Sequence, residues 1–153
     1  MTYVREQQAK ARRRELRERK RKAKPRAQWL KEAQAAFNAW IKERDKHLPC
    51  VSCDATEHGT SYVKISGWVA SHYRSVGACP ELRFEESNVH KACVRCNSHL
   101  SGNIVEYRIR LRARIGEEKL AWLEGPHDPK RYTIEELMAI KSEYRRRLRE
   151  MRK

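Results

Sequence analysis

The sequence predicts an α+β fold: a small core stapled by cysteines, flanked by amphipathic α-helices and preceded by a basic N-terminal arm or helix. Three observations predict it. Two CxxC pairs, Cys50-Val51-Ser52-Cys53 and Cys93-Val94-Arg95-Cys96, bracket a middle punctuated by Gly59, Gly67 and Gly77. Apolar residues recur at helical spacing on both sides of that middle. The chain also sets 35 basic against 20 acidic residues, a formal net charge of +15, while its hydrophobic set is 39% of 153 residues. A core that thin under that much self-repulsion needs a staple.

The elements follow in order. The run ARRRELRERKRKAKPR carries almost no large apolar residue besides Leu16, so residues 1–26 read as an arm or exposed helix. A solvated charge run is the plain alternative. Pro25 breaks the chain before a helix over residues 27–46, where Leu30, Ala33, Phe37, Trp40 and Ile41 form one stripe and Pro49 is the stop. Segments 62–65 and 68–73 read as the two strands of a hairpin turning at Ser66-Gly67. An irregular stretch through Pro80 and a short run over 82–89 lead to the second cysteine pair. A helix then begins at Ser101 or Asn103, carries Ile104, Tyr107, Leu111 and Ile115 on one face, and ends at Gly116. A short helix over 117–124 stops at Gly125-Pro126. The last helix starts at Thr133, which with Glu136 forms a capping box, and bears Leu137, Ile140, Tyr144, Leu148 and Met151 as its stripe. The chain thus divides into 1–26, a core over 27–125 and a C-terminal helix over 126–153, with no internal repeat.

The charge points to an anionic partner, and nucleic acid comes first because each neutralised phosphate releases a counterion. A membrane surface fits less well, because no helix sets a Lys-rich face against a broad Trp/Leu face. No apolar run approaches a membrane span and no secretory start is evident, which predicts a protein of the reducing cytoplasm. There, five Cys read as four metal ligands and one free thiol, Cys79, rather than as disulfides. Cys50, Cys53, Cys93 and Cys96 supply four soft thiolates suited to tetrahedral zinc. The 39 residues between the pairs exceed a zinc-ribbon spacing but leave room for a hairpin and loop. Four thiolates close the shell, so the zinc would be structural and would supply on the order of 10 kcal/mol of folding free energy.

Between the pairs the chain reads SHYRSVGACPELRFEESNVHKACVRCN. A His at a strand end, an Asn ahead of the second CxxC and an Asn after its last Cys resemble the ββα-metal, or HNH, nuclease arrangement in its zinc-knuckle, endonuclease VII-like form. More closely, the chain resembles the NinG/Rap recombination proteins of lambdoid phages. The matching blocks are QAAFNAWIKERDKHLPCVSC, HYRSVGACPELRFEESNVHKACVRCNSHLSGNIVEYR and LEGPHDPKRYTIEELMAIKSEYR, which cover most of the chain after Trp29. The resemblance implies a ββα-metal core and a structure-specific endonuclease of the bacterial host cytoplasm. It would cut branched recombination intermediates, such as Holliday junctions and D-loops, by Mg²⁺-dependent phosphodiester hydrolysis.

Carried over by position, His72 would be the general base, Asn97 would help hold one catalytic Mg²⁺, and Asn88 would fix the His-bearing loop. Asn88 equally fits a turn or cap. His90 would be an additional ligand or phosphate contact. Arg74, Arg83, Lys91 and Arg95 flank this segment and suit phosphates. Arg108, Arg110, Arg112 and Arg114 cannot all face one groove, so they suit backbone contacts, as do Arg12, Arg13 and Arg14 of the arm. Two departures stand out. Ser71 holds the place where many HNH enzymes carry an Asp ligand, although this family usually has Gly there. Glu81, Glu85, Glu86, His90 or His99 would then have to assist. The arm also replaces a Cys-rich N-terminal segment that family members often carry. Resolving a junction takes two cuts, which favours a homodimer. The competing reading is a non-catalytic zinc-knuckle DNA-binding protein that assists recombination. A basic RNA-binding accessory protein survives on charge alone.

Overall fold

The computed structural model describes residues 2–56 and 67–153. Helix α1 (Thr2–Ala23) is exposed at every residue from Tyr3 to Ala23. It lacks an apolar stripe, and exposed i,i+4 and i,i+3 pairs such as Arg19–Glu15 and Arg21–Glu18 run along it. Pro25, with φ −67° and ψ 151°, separates it from α2 (Arg26–Arg44).

Helix α2 buries Trp29, Ala33, Ala36, Phe37, Trp40 and Ile41, the face expected from the spacing, shifted by one residue at its start. That face packs against α5 (Ile134–Met151), whose Leu137 and Tyr144 are buried. Phe37 is the junction: its ring meets Tyr144 edge-on at 4.8 Å and Phe84 edge-on at 5.6 Å between centroids. Burial of each such aromatic side chain contributes roughly 1.5–3 kcal/mol. Thr133 caps α5 by accepting from the Glu136 amide at 3.1 Å while Glu136 accepts from the Thr133 amide at 2.8 Å. The expected capping box is therefore formed.

Strand β1 (Trp68–His72) pairs antiparallel with β2 (Val89–Cys93), with Trp68 opposite Cys93, Ser71 opposite His90 and His72 opposite Val89. The strand expected at 62–65 and its turn at Ser66 lie outside the described residues. Val89 and Ala70 join the α2/α5 core, whereas Val69 and Ala92 join a second core with Tyr107, Leu111, Leu120 and Leu123. Those last four residues belong to α3 (Ile104–Ile115) and α4 (Glu117–Glu124). The small sheet is therefore a partition between two helix pairs, which is why Val89 to Ala92 of β2 are all buried. Between the strands the chain makes two 3₁₀ turns, Pro80–Leu82 and Glu86–Asn88. After β2 it makes a wide turn, Arg95–His99, before α3. No described helix is long and apolar enough to cross a membrane.

Candidate functional site

The first CxxC pair follows α2 and is laid beside β2 by a backbone bond from the Val51 amide to the Lys91 carbonyl, 3.0 Å. The second begins at Cys93, the last residue of β2, and ends at Cys96 on the wide turn that follows. The four sulfurs of Cys50, Cys53, Cys93 and Cys96 all lie within 4.8 Å of one another. Cys50 Sγ is 3.7 Å and Cys53 Sγ 3.8 Å from Cys93 Sγ. A tetrahedron with Zn–S bonds of about 2.3 Å requires sulfurs about 3.8 Å apart, so the cluster fits a zinc ion. These distances are far too long for disulfides, and all five cysteines are free. Backbone amides of Ser52 and Cys93 point at Cys50 Sγ, at 3.4 and 3.3 Å, which favours an anionic sulfur. Asn103 ties the first knuckle to the start of α3, donating from Nδ2 to the Ser52 carbonyl at 3.1 Å. It does so from a left-handed conformation, φ 49°, which Asn tolerates better than most residues. Cys79 is apart from this cluster and accepts from Arg74 Nη2 at 3.1 Å.

A second polar construction stands at the other end of the sheet. Three consecutive carbonyls of the loop between the strands each accept from a side chain of a different segment. Tyr132 Oη donates to Glu81 O at 2.8 Å, Asn88 Nδ2 to Leu82 O at 3.2 Å, and His72 Nε2 to Arg83 O at 2.9 Å. A carbonyl can only accept, so His72 carries its proton on Nε2, and its Nδ1 is left with the lone pair in the neutral ring. Burial lowers the His72 pKa, and the Arg83 charge adds to this; the bond to the Arg83 carbonyl opposes it. Asn88 is fully buried and makes two more bonds: Oδ1 accepts from the Arg74 amide at 2.8 Å and Nδ2 donates to the Arg74 carbonyl at 3.0 Å.

The expected site residues therefore fall into groups. His72, Asn88, Arg74 and Arg83 meet at this end. Arg83 donates to Gln34 Oε1, and Arg74 also reaches the Glu124 carbonyl. Arg108 forks onto the Glu124 carboxylate at 2.7 and 3.0 Å, where Tyr73 Oη also donates, and Arg112 pairs with Glu117. Asn97 and Arg95 sit on the turn after Cys93, at the knuckle end. Asn97 is half-buried, Arg95 is exposed, and no hydrogen bond joins Asn97 to His72. Arg12, Arg13 and Arg14 are exposed on α1.

Two residues expected at a surface are inside. Lys91 is 3% exposed, its ammonium donating to the Lys46 carbonyl at 3.1 Å and lying 4.1 Å from the Trp68 ring centre. As a phosphate contact it is corrected to a structural residue, because those partners replace solvent around its charge. His90 is 5% exposed, and Tyr107 Oη lies 3.3 Å from its Nδ1. Burial, reinforced by the Arg44 charge, lowers its pKa to about 3. Ser71 is buried and its carbonyl accepts from Tyr107 Oη at 2.9 Å.

Sequence reasoning missed Asp45, Tyr107, Glu124 and Tyr132. Asp45 is 2% exposed and takes the Arg44 fork at 2.6 and 2.9 Å and the Lys91 amide at 3.0 Å. Burial works to raise its pKa, yet Arg44 and the Lys91 amide hold it below the usual carboxylate value. An Asp directly after an Arg at a helix end carries no local signal of this role.

Fold and sites define a small, basic α+β protein in which a four-cysteine centre and a His/Asn-clamped loop occupy opposite ends of a two-stranded sheet. The chain belongs to the NinG family: the family model described as Bacteriophage Lambda NinG protein matches residues 2–153. It is 50% identical over 137 residues to protein ninG of Escherichia phage lambda, covering 90% of this chain and 64% of that protein. It is 48% identical to the ninG proteins of Escherichia phage 933W and Salmonella phage P22, covering 90% of this chain in both and 65% and 64% of theirs. The chain thus spans just under two thirds of the length of these relatives. No solved structure matches it.

Proposed function

We propose that this chain is a zinc-stapled endonuclease that hydrolyses phosphodiesters in branched DNA, with His72 as general base. One observation carries the proposal: His72 is held through Nε2 by the Arg83 carbonyl, on a loop clamped by the buried Asn88. That leaves Nδ1 basic and its direction set. In this reading Nδ1 takes a proton from water as the water oxygen bonds to phosphorus and the leaving-oxygen bond breaks. The strand–strand–helix order with a knuckle between the second strand and the helix supports the HNH assignment. Zinc in the four-thiolate centre has no open position and would join the two knuckles to α3.

Magnesium, when bound, would neutralise charge on the phosphate and the leaving oxygen. Among the described residues, the cysteine cluster is the one grouping of three or more potential Cys, His, Asp or Glu ligands. The ion would therefore rest on substrate oxygens together with one or two protein oxygens, a usual arrangement for Mg²⁺. Glu81, on the loop that holds His72, is the candidate at this end, whereas Asn97, the ligand expected by position, stands on the turn at the knuckle end. Glu86 is engaged by Arg147 and Tyr144, and Glu85 by Ser87 and Lys119. Arg74, Arg95, Arg108 and Arg112 would hold flanking phosphates, and two copies would supply the two cuts that resolve a junction.

The test is single-turnover cleavage of a synthetic four-way junction with saturating protein and Mg²⁺. His72→Ala should slow cleavage by about 100-fold or more with junction binding retained. Cleavage at the wild-type rate would remove His72 from the mechanism. The second reading, a DNA-binding protein without catalysis, is favoured by the buried Ser71, which offers no carboxylate beside His72. It predicts no Mg²⁺-dependent cutting by the wild-type chain.

A further inference from the structure

Helix α1 is exposed along its whole described length, and its charge has an unusual distribution. It carries ten basic and three acidic side chains over 22 residues. Successive residues of an α-helix turn by about 100°, so Arg12, Arg13 and Arg14 alone point to three directions about the axis, and Lys22 falls in the wide gap these three leave. The larger apolar residues, Tyr3, Val4 and Leu16, are all exposed and lie on three different sides. A helix without an apolar stripe cannot bury itself against a second copy or in a membrane interface. A helix charged on every side also exceeds what one row of phosphates can pair.

We propose that α1 seats in the major groove of a duplex arm of the DNA substrate. The proposal rests on the nucleic-acid-binding part of the reading above and is independent of the catalytic part. The groove is about 12 Å wide and a helix with its side chains is 10–12 Å across, so phosphate rails flank the helix on both sides. Side chains pointing outward can bend their charged heads back to those rails. The root of the helix is anchored rather than loose. Lys24 Nζ pairs with Glu32 at 2.9 Å and stands 3.9 Å over the Trp29 ring, and Arg26 Nε donates to the Tyr132 carbonyl at 2.8 Å. Tyr132 also holds the Glu81 carbonyl of the loop that carries the His72 contact. The body that presents the candidate site therefore also holds the C-terminal end of α1.

The experiment separates a seated helix from a charged tether by breaking the helix without changing its charge. Ala11→Pro in the full chain removes helix continuity at an exposed position, and near-ultraviolet circular dichroism reports whether the body is intact. Binding to a four-way junction and to a 20-base-pair duplex is measured alongside dimethyl sulfate reactivity of guanine N7, which lies in the major groove. The expected result is N7 protection with the wild-type chain that is lost in Ala11→Pro, with affinity lower by about tenfold or more. Double-stranded RNA of the same sequence should bind more weakly, because its major groove is too narrow to admit a helix. Unchanged affinity and N7 reactivity in Ala11→Pro would overturn the proposal, as would equal affinity for the RNA duplex. Junction cleavage that persists in either case would leave the nuclease reading standing. Loss of cleavage in His72→Ala with N7 protection intact would show the two to be separate.

Discussion

Asn88 and Arg74 exchange two hydrogen bonds, the Asn88 side chain imitating one residue of a paired strand toward the Arg74 backbone. The Arg74 amide donates to Oδ1 at 2.8 Å and Nδ2 donates back to the Arg74 carbonyl at 3.0 Å. The ring extends the β1–β2 ladder past His72, where regular pairing ends. Nδ2 then uses its second hydrogen on Leu82 O, so the amide of one residue joins the end of the strand to the middle of the loop.

Asn88→Asp should therefore be more harmful than its size implies. A carboxylate keeps the acceptor for the Arg74 amide but sets an oxygen against two carbonyl oxygens in a fully buried place. The expected loss is about 3 kcal/mol or more, against roughly 1–3 kcal/mol for a neutral unmade hydrogen bond. Urea unfolding followed by circular dichroism measures it, and equal stability of the variant and wild type would contradict the clamp.

The four-cysteine centre should hold one zinc per chain. Elemental analysis of purified protein checks the stoichiometry, and chelator titration should lower the thermal midpoint as metal leaves. Cys50→Ser should be severe, since Cys50 Sγ meets two backbone amides and Cys93 Sγ. Cys79→Ser should leave the zinc content at the wild-type value, because its sulfur faces Arg74 instead. Well-folded protein without metal would contradict this centre.

Cleavage should show a distinctive acid limb. The His72 pKa is lowered, chiefly by burial, so the neutral, proton-accepting ring persists to a lower pH than an ordinary histidine. Single-turnover rates should stay level as pH falls through 6.5 and drop only below it. A rate already halved near pH 7 would mean that the essential base is a different group.

His90 should contribute to acid unfolding. Its folded pKa is about 3, far below the usual 6.5, so between these values the unfolded chain binds a proton that the native one refuses. Stability attached to this residue is whole above pH 6.5 and declines as pH falls toward 3. The full effect is a few kcal/mol by order of magnitude. His90→Gln should make the stability profile flatter across that window than in the wild type. Parallel profiles would show that His90 takes up its proton as easily in the folded chain.

Much of this molecule is written locally in its chain. The stripe from Ala33 to Ile41, the Thr133–Glu136 capping box and the stop at Gly116 depend on neighbours within a helical turn or two, so spacing alone reveals them. The two CxxC pairs are legible for the same reason, since each knuckle is a four-residue device. What Lys91, His90 and Asn88 do depends instead on groups far along the chain. Lys91 turns inward because Lys46 and Trp68 receive its ammonium, and His90 stays neutral because it is buried, with the Arg44 charge adding to the effect. Asn88 fits a loop clamp, a turn or a cap equally until folding brings the Arg74 backbone across the loop to meet it. A charged or polar side chain is neutral to helix and strand periodicity, so its sequence position leaves open whether water or protein will satisfy it. That choice is made by desolvation, which acts only once the two helix pairs have closed on the sheet.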